Sequence, residues 1–166
     1  MRSLKHSVVR LAETEDTCAL VDKFKGGNTE SGYGLTYSEK NAFKYLYDYI
    51  NHKECDVLIS EEGLAQGYAL KGGEITGCVM IAESLEFHDR PFCYIGKFWI
   101  FSSGRRTDAS RELISHSLKW AKERDCSHLF VTATAELADK EQRLFINLMK
   151  KSGLVEHGPV LSLKME

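Results

Sequence analysis

The sequence predicts an α/β domain built on a mixed sheet. Residues 56–84 carry strand-like apolar runs separated by a Gly-Gly pair, which is typical of an antiparallel meander. The strand-like run at 92–101 is followed by a segment with helical apolar spacing and then by another strand-like run, which favours a parallel pair joined by a helix. The length of 166 residues fits one domain, 1–166.

The amino-terminal part is predicted to hold one strand and two helices. Residues 8–12 form a short apolar run, and the segment after them has helical spacing that the Gly26 and Gly27 pair is expected to end. Residues 26–37 are rich in small polar residues and indicate a loop, after which Ser38 can cap a second helix. The apolar face of this second helix consists of Phe43, Leu46, Tyr47 and Ile50.

The rest of the chain is predicted to alternate strands with two further helices. The run at 92–101 is almost uninterruptedly apolar, as in a strand buried on both faces. A helix is expected from Thr107 or Asp108 to near Asp125, and Gly153 is expected to end the last helix. The other predicted segments are strands at 56–60, 67–70 and 74–84 with a hairpin turn at Gly72 and Gly73, a strand at 128–134, the helix at 139–153 and a strand at 159–165.

Composition and charge exclude several classes of protein. The net charge of −2 does not give the basic field on which non-specific nucleic-acid binding depends. No run of about 18 apolar residues indicates a membrane span or a secretion signal, so we expect a cytoplasmic protein that binds neither nucleic acid nor membranes. The 5 cysteines form no C-x-x-C pair and the 6 histidines show no ligand spacing, so we expect reduced thiols and no metal site.

The segment GRRTDASRELI, residues 104–114, links the 92–101 strand to a helix. Such a junction presents backbone N–H groups and the positive end of the helix dipole, which together bind phosphate. The element order and this loop resemble the GCN5-related N-acetyltransferase (GNAT) family, whose loop follows the pattern R/Q-x-x-G-x-G/A. Aligned on Leu113 and Ile114, the pattern falls on residues 105–110. Arg105 matches the pattern, and both glycines are replaced.

The resemblance implies a fold and a cosubstrate. The fold is a GNAT-like mixed, mostly antiparallel sheet of about six to seven strands with a splayed central parallel pair, flanked by about four helices. The cosubstrate is acetyl-CoA. Asp108 replaces a loop glycine, so its charge is expected to weaken pyrophosphate binding, unless its carboxylate caps the helix that follows. The residues implied to bind the cosubstrate are Ile100, Phe101, Ser102, Arg105, Arg106, Thr107, Asp108, Ala109, Ser110 and Gln142.

The resemblance also bears on the catalytic groups. The tyrosine that commonly protonates the departing thiolate in this family falls on Met149, which cannot donate a proton. Tyr94 is a candidate replacement acid, although strand alternation equally allows a core tyrosine. Glu83 is a candidate general base, with His88 as a similar candidate, and either one is otherwise a solvated group near a strand end.

Two functional hypotheses follow. The first is an acetyl-CoA-dependent N-acetyltransferase that moves an acetyl group to the amine of an acceptor. The second is a GNAT-fold binding or structural module without catalysis, of the kind that phages carry, and the loss of two glycines and one tyrosine favours it. The sequence leaves open whether the acceptor is a small amine, a peptide amino terminus or a protein lysine, and it leaves the oligomeric state open.

Overall fold

A seven-stranded sheet forms the centre of the fold. The computed structural model describes residues 6–30, 36–63, 73–86, 89–132, 139–157 and 160–164. The predicted strand 67–70, Gly72 and His88 therefore lie outside the described residues. The strands are β1 Ser7–Leu11, β2 Cys55–Glu62, β3 Ile75–Ser84, β4 Phe92–Ile100, β5 His128–Thr132, β6 Val155–His157 and β7 Val160–Lys164, and the helices are α1 Thr17–Glu30, α2 Glu39–Ile50, α3 Ala109–Glu123 and α4 Asp139–Lys151.

The sheet has the order β1-β2-β3-β4-β5-β7-β6, and β4 with β5 is its parallel pair. All other neighbouring strands among the described residues run antiparallel. The mixed, mostly antiparallel sheet with a central parallel pair is therefore confirmed. Strand β5 pairs with only the first part of β4, from Cys93 to Ile95, whereas β4 continues to Ile100.

A β-bulge lies in β4 at the point where its pairing with β5 stops. Met80 of β3 faces Lys97, and the next residue, Ile81, faces Ile95, so Gly96 is the additional residue on β4. A bulge bends its strand and increases the local twist, which re-aims the rest of the strand. The bulge therefore re-aims β4 just after Ile95, the last residue that pairs with the described part of β5.

The helices cover the two faces of the sheet in pairs. On one face, here called the α3 face, Leu113 of α3 and Met149 of α4 are buried against Val79 and Ile81 of β3. On the other face, here called the α1 face, the buried residues of α1 and α2 pack on β2 and β3. This second cluster contains Leu20, Val21, Leu46, Val57, Ile59, Ile75, Cys78, Met80 and Phe101.

Strand β4 differs from its sequence-based prediction. Cys93 and Ile95 are buried on the α3 face, but Tyr94 is 42% exposed on the α1 face. The prediction that this segment is buried on both faces is therefore wrong for its first half. The physical reason is that α1 and α2 lie over β2 and β3 and do not extend over the beginning of β4.

The sequence predicted the start of α2 and the end of α4 well, and it predicted the end of α1 wrongly. Ser38 caps α2, accepting a hydrogen bond from the Asn41 N–H at 3.3 Å. Gly153 follows α4 with φ 95, a conformation that favours glycine. By contrast, α1 does not stop at Gly26 but continues to Glu30. No helix among the described residues is long and apolar enough to cross a membrane.

Replacing Gly26 with alanine is expected to stabilise the protein by about 1 kcal/mol, because alanine loses less backbone entropy in a helix. A Cβ atom at Gly26 would have no heavy atom within 4 Å, so no clash opposes the gain. Urea unfolding measures the effect. Gly153→Ala is the matched control, and its positive φ predicts a loss of about 1 to 2 kcal/mol. Destabilisation by Gly26→Ala would contradict the helical assignment.

Candidate functional site

The pairing of β4 with the described part of β5 ends at Ile95, and we call the space beside β4 beyond this residue the cleft. Beyond Ile95 the described part of β5 no longer pairs with β4, whereas the pairing of β4 with β3 continues to Ile100. In a strand the N–H and C=O groups of alternate residues point to opposite edges. Backbone donors and acceptors of β4 therefore face the cleft.

Gly96 makes the backbone at the mouth of this cleft accessible. The residue is exposed, and a Cβ atom placed on it would lie 3.9 Å from Tyr94 Cε2 and 4.0 Å from the Met80 carbonyl oxygen. Both distances are ordinary van der Waals contacts. The ring of Tyr94 therefore lies directly beside the bulge, on the α1 face.

The loop that follows β4 is held tightly against β3. The Phe101 N–H donates to the Thr76 carbonyl oxygen at 3.0 Å, and residues Ser102–Arg106 form a short 3-10 turn. At Gly104 a Cβ atom would lie 2.1 Å from the same Thr76 oxygen. The glycine at this position therefore allows the loop to pack on β3.

The Thr107 hydroxyl, and not the Asp108 carboxylate, provides the side-chain hydrogen bond at the start of α3. Thr107 Oγ1 accepts from the Ala109 N–H at 3.1 Å and donates to the Gly104 carbonyl oxygen at 2.9 Å. The Asp108 side chain makes no cap hydrogen bond, so the alternative that it caps this helix is wrong. Its backbone has φ −88 and ψ 8, rather than the extended conformation usual at a cap.

The carboxylate of Asp108 is directed to the start of β1. It accepts a hydrogen bond from the Ser7 N–H at 2.7 Å and lies 3.6 Å from His6 Nδ1. The side chain is only 9% exposed. The negative charge of Asp108 therefore lies near the first turn of α3, although its carboxylate accepts a hydrogen bond from the backbone of β1.

Asp108→Asn is expected to tighten the binding of a pyrophosphate ligand by roughly fivefold, or about 1 kcal/mol, because it removes a negative charge near the anion. The amide oxygen of asparagine can still accept from the Ser7 N–H, so thermal stability should change little. Calorimetric titration with acetyl-CoA at low and high salt measures the effect, and the gain should shrink with salt. An unchanged affinity at low salt would show that the anion does not approach this helix.

The residues predicted to bind a cosubstrate differ in how far they are buried. Ile100 is half-buried at the end of β4, and Ala109 is buried in the first turn of α3. Phe101 is buried on the α1 face, 5.6 Å from the Phe24 ring centroid, so its side chain lies in the core. The side chain of Arg106 is outside the described residues. The remaining predicted residues with described side chains are exposed or half-buried, namely Ser102, Arg105, Thr107, Asp108, Ser110 and Gln142.

The part of α4 that contains Gln142 lies near the cleft. Phe145, one helical turn after Gln142, contacts Phe98, in the part of β4 that follows its pairing with the described part of β5, with ring centroids 5.3 Å apart. Residues three apart share one side of a helix. Met149, one further turn along, is fully buried in the cluster of the α3 face, so its side chain is part of the core.

The two predicted catalytic residues, Glu83 and Tyr94, lie on opposite faces of the sheet. Glu83 faces Cys93 across the β3–β4 ladder, and its Oε1 lies 3.3 Å from Arg124 Nη1 in an ion pair. Arg124 also donates to Asp56 Oδ2 at 2.9 Å. This network is on the α3 face, whereas Tyr94 is on the α1 face beside Gly96.

An aromatic surface that the sequence analysis missed surrounds Tyr94. Because Cys93, Ile95, Leu129 and Val131 are buried on the α3 face, the alternate residues of β4 and β5 lie on the α1 face. Phe92 contacts Phe130 edge-on at 5.7 Å, and His128 stacks on Phe130 at 5.7 Å. The sequence does contain a signal for this surface, because aromatic residues stand at alternate positions in both strands, at 92 and 94 in β4 and at 128 and 130 in β5.

Two tyrosines of α2 extend this surface. The Tyr45 and Tyr49 rings are 5.9 Å apart, and both hydroxyls have Tyr94 as an electrostatic neighbour. Burial, as the largest cause, raises the pKa of both tyrosines, so both stay protonated at neutral pH. We call the set the aromatic face, which consists of Tyr45, Tyr49, Phe92, Tyr94, His128 and Phe130.

Comparison with solved structures shows the same fold in several acetyltransferases. The GNAT-family acetyltransferase from Streptococcus pneumoniae superposes with a TM-score of 0.67 at 16% identity, covering 96% of this chain and 99% of that chain. A predicted acetyltransferase with acetyl-CoA from Clostridium acetobutylicum gives 0.64 at 18% identity, covering 91% of each chain. An aminoglycoside acetyltransferase from an uncultured soil metagenomic sample, in complex with sisomicin, gives 0.65 at 13% identity, covering 92% and 91%.

A search among curated proteins finds no match. The family model of the acetyltransferase (GNAT) family matches residues 31–147, which include the β4 bulge, the loop and most of α4. The seven-stranded order with one splayed parallel pair agrees with that match. The chain therefore belongs to the GNAT family of acetyltransferases.

Proposed function

We propose that this chain is a cytoplasmic enzyme that transfers an acetyl group from acetyl-CoA to the amine of a small molecule. The observation that carries the proposal is the cleft at Gly96, where an exposed bulge opens β4 toward β5. The Clostridium acetobutylicum neighbour with acetyl-CoA supports the cosubstrate, and the sisomicin complex supports a small-molecule amine as acceptor.

The residues around the cleft fit a ligand of this kind. The N-terminal turn of α3 offers a helix dipole to a pyrophosphate, and the exposed Arg105 and Arg111 stand in the same segment. Ser103 Oγ is buried and has no hydrogen-bond partner among the described residues, so it can serve a ligand of the loop. Backbone groups of residues 98–100 would hold the pantetheine arm, with Gln142 on the α4 side.

The chemistry requires a proton donor beside the sulfur. The amine nitrogen attacks the thioester carbonyl carbon, the C–S bond breaks, and the sulfur leaves as a thiolate that takes up a proton while the amine loses one. Tyr94 carries a hydroxyl on a ring that lies beside the bulge, with Cε2 3.9 Å from a Cβ position on Gly96. We therefore assign the proton donation to Tyr94. Glu83 is a weaker candidate for a base, because its carboxylate is paired with Arg124 on the other face.

A binding module without catalysis is the second candidate. The observation that favours it is the complete burial of Met149, at the position where the family commonly has a tyrosine donor. This candidate shares acetyl-CoA binding with the first and differs from it in turnover.

The test is turnover with acetyl-CoA and a mixture of primary amines, in which chromatography detects free CoA and mass spectrometry detects the acetylated amine. Tyr94→Phe is expected to lower kcat by roughly 100-fold, the usual contribution of one acid–base group, with acetyl-CoA affinity unchanged. Tyr47→Phe is the matched control, because Tyr47 stacks on Phe43 elsewhere on α2. Binding of acetyl-CoA without any turnover would support the second candidate instead.

A further inference from the structure

The aromatic face is an accessible surface beside the bulge. Tyr45 is 53% exposed and Tyr94 is 42% exposed, while Phe92, His128 and Phe130 are half-buried. Soluble proteins seldom leave several rings together at the surface without a use for them. The position next to Gly96 indicates that the rings contact whatever reaches the cleft from this side.

An acceptor amine can reach the cleft from the α1 face. On the α3 face, Leu113, Ile114 and Met149 close the sheet beside β4 and β5 with a buried cluster. On the α1 face, α1 and α2 pack on β2 and β3, and the side chain of Tyr94 remains exposed. If acetyl-CoA uses the first turn of α3, the open side left for the acceptor is the aromatic face.

The chemistry of this surface selects among amines. Ring faces attract an organic cation and bury apolar groups, whereas an acceptor with many positive charges is recognised through several carboxylates. None of the six residues that form the aromatic face carries a carboxylate. Glu54, which neighbours Cys55, lies 3.6 Å from Lys53 in an ion pair, and Glu83 pairs with Arg124 on the other face.

We infer that the acceptor is a monoamine with an aromatic or apolar body, whose body packs on Tyr45 and Phe130 while its amine points to Gly96. The inference rests on the proposed function, which it deepens by naming the class of acceptor. Tyr45 and Phe130 are then specificity-determining residues, and they act on the KM for the amine rather than on the transfer step.

The test compares phenethylamine with two probes that carry more charge, butane-1,4-diamine and sisomicin, at a fixed saturating concentration of acetyl-CoA. We expect kcat/KM for phenethylamine to exceed that for the diamine by roughly tenfold or more, because contact with the rings of the aromatic face favours an acceptor with an aromatic body. Higher kcat/KM for the diamine or sisomicin would overturn the inference and leave the proposed function standing.

Two variants test the surface itself. Tyr45→Leu, at an exposed position that tolerates substitution, and Phe130→Leu should each raise the KM for phenethylamine by roughly fivefold, with kcat and the acetyl-CoA affinity unchanged. Phe43→Leu is the control, because Phe43 is 41% exposed and stacks on Tyr47 away from the aromatic face. Equal KM values in all three variants and the wild type would overturn the inference.

Calorimetric titration with phenethylamine alone separates the two proposals. If phenethylamine binds the wild type and the Tyr45→Leu substitution weakens this binding, the aromatic face is supported as the recognition surface. This conclusion holds even if the protein does not bind acetyl-CoA, a result that would contradict the proposed function. Turnover of acetyl-CoA with amines, combined with no effect of Tyr45→Leu on phenethylamine, contradicts only the inference.

Discussion

Gly104→Ala is expected to destabilise the protein by about 3 kcal/mol, which corresponds to a fall in Tm of roughly 10 °C for a chain of this size. The added Cβ would lie 2.1 Å from the Thr76 carbonyl oxygen, 2.9 Å from its carbon and 3.0 Å from Ile100 Cγ2. The first two atoms belong to the backbone of β3, so the loop itself must move. Thermal unfolding measures the loss.

The same substitution should also disturb the loop in front of α3. Gly104 accepts a hydrogen bond from Thr107 Oγ1, which in turn accepts from the Ala109 N–H. A displaced Gly104 therefore changes the start of α3, and acetyl-CoA affinity should fall together with stability. A Tm within about 2 °C of the wild type would show that the loop is not packed on β3.

Gly96→Ala is expected to lower kcat/KM for acetyl transfer by roughly 100-fold, because displacement of reacting groups by about 1 Å is enough for such a loss. The new methyl group would project toward Tyr94, into the space where we propose that amine and thioester meet. Its contacts at 3.9 and 4.0 Å are ordinary, so stability should stay within about 0.5 kcal/mol of the wild type.

The measurement combines steady-state kinetics with urea unfolding of the same sample. Met80 and Tyr94 provide the contacts nearest to the new methyl group, so a loss of activity with retained stability locates the reaction at the bulge. Wild-type kinetics in a folded Gly96→Ala protein would place the transfer elsewhere.

Apolar periodicity was enough to predict the order of the main elements. Strand β4, helix α3 and strand β5 lie close to their predicted ranges because each has a strong apolar pattern. The prediction failed where tertiary packing outweighed the local sequence signal, or where an element was too short to give one. Packing of Leu20 and Val21 supports a helix that continues through Gly26, and β6, Val155–His157, is too short to produce a pattern.

The candidate site was harder to predict because its geometry depends on contacts between distant segments. Asp108 binds the Ser7 N–H, 101 residues away in the chain, and no local pattern indicates this contact. The bulge at Gly96 is a property of the β3–β4 register, which also decides that Glu83 and Tyr94 lie on opposite faces. The sequence thus identified the loop, whereas the cross-strand register determined the surroundings of Tyr94.

Isothermal titration of the folded wild-type protein with acetyl-CoA tests the central claim most directly. The cleft at Gly96 and the first turn of α3 predict saturable binding at one site. The affinity should fall as salt is added, because we propose that exposed arginines contact the pyrophosphate. The affinity should rise in Asp108→Asn and fall in Arg105→Ala. Absence of heat at millimolar acetyl-CoA, in both the wild type and Asp108→Asn, would contradict the account.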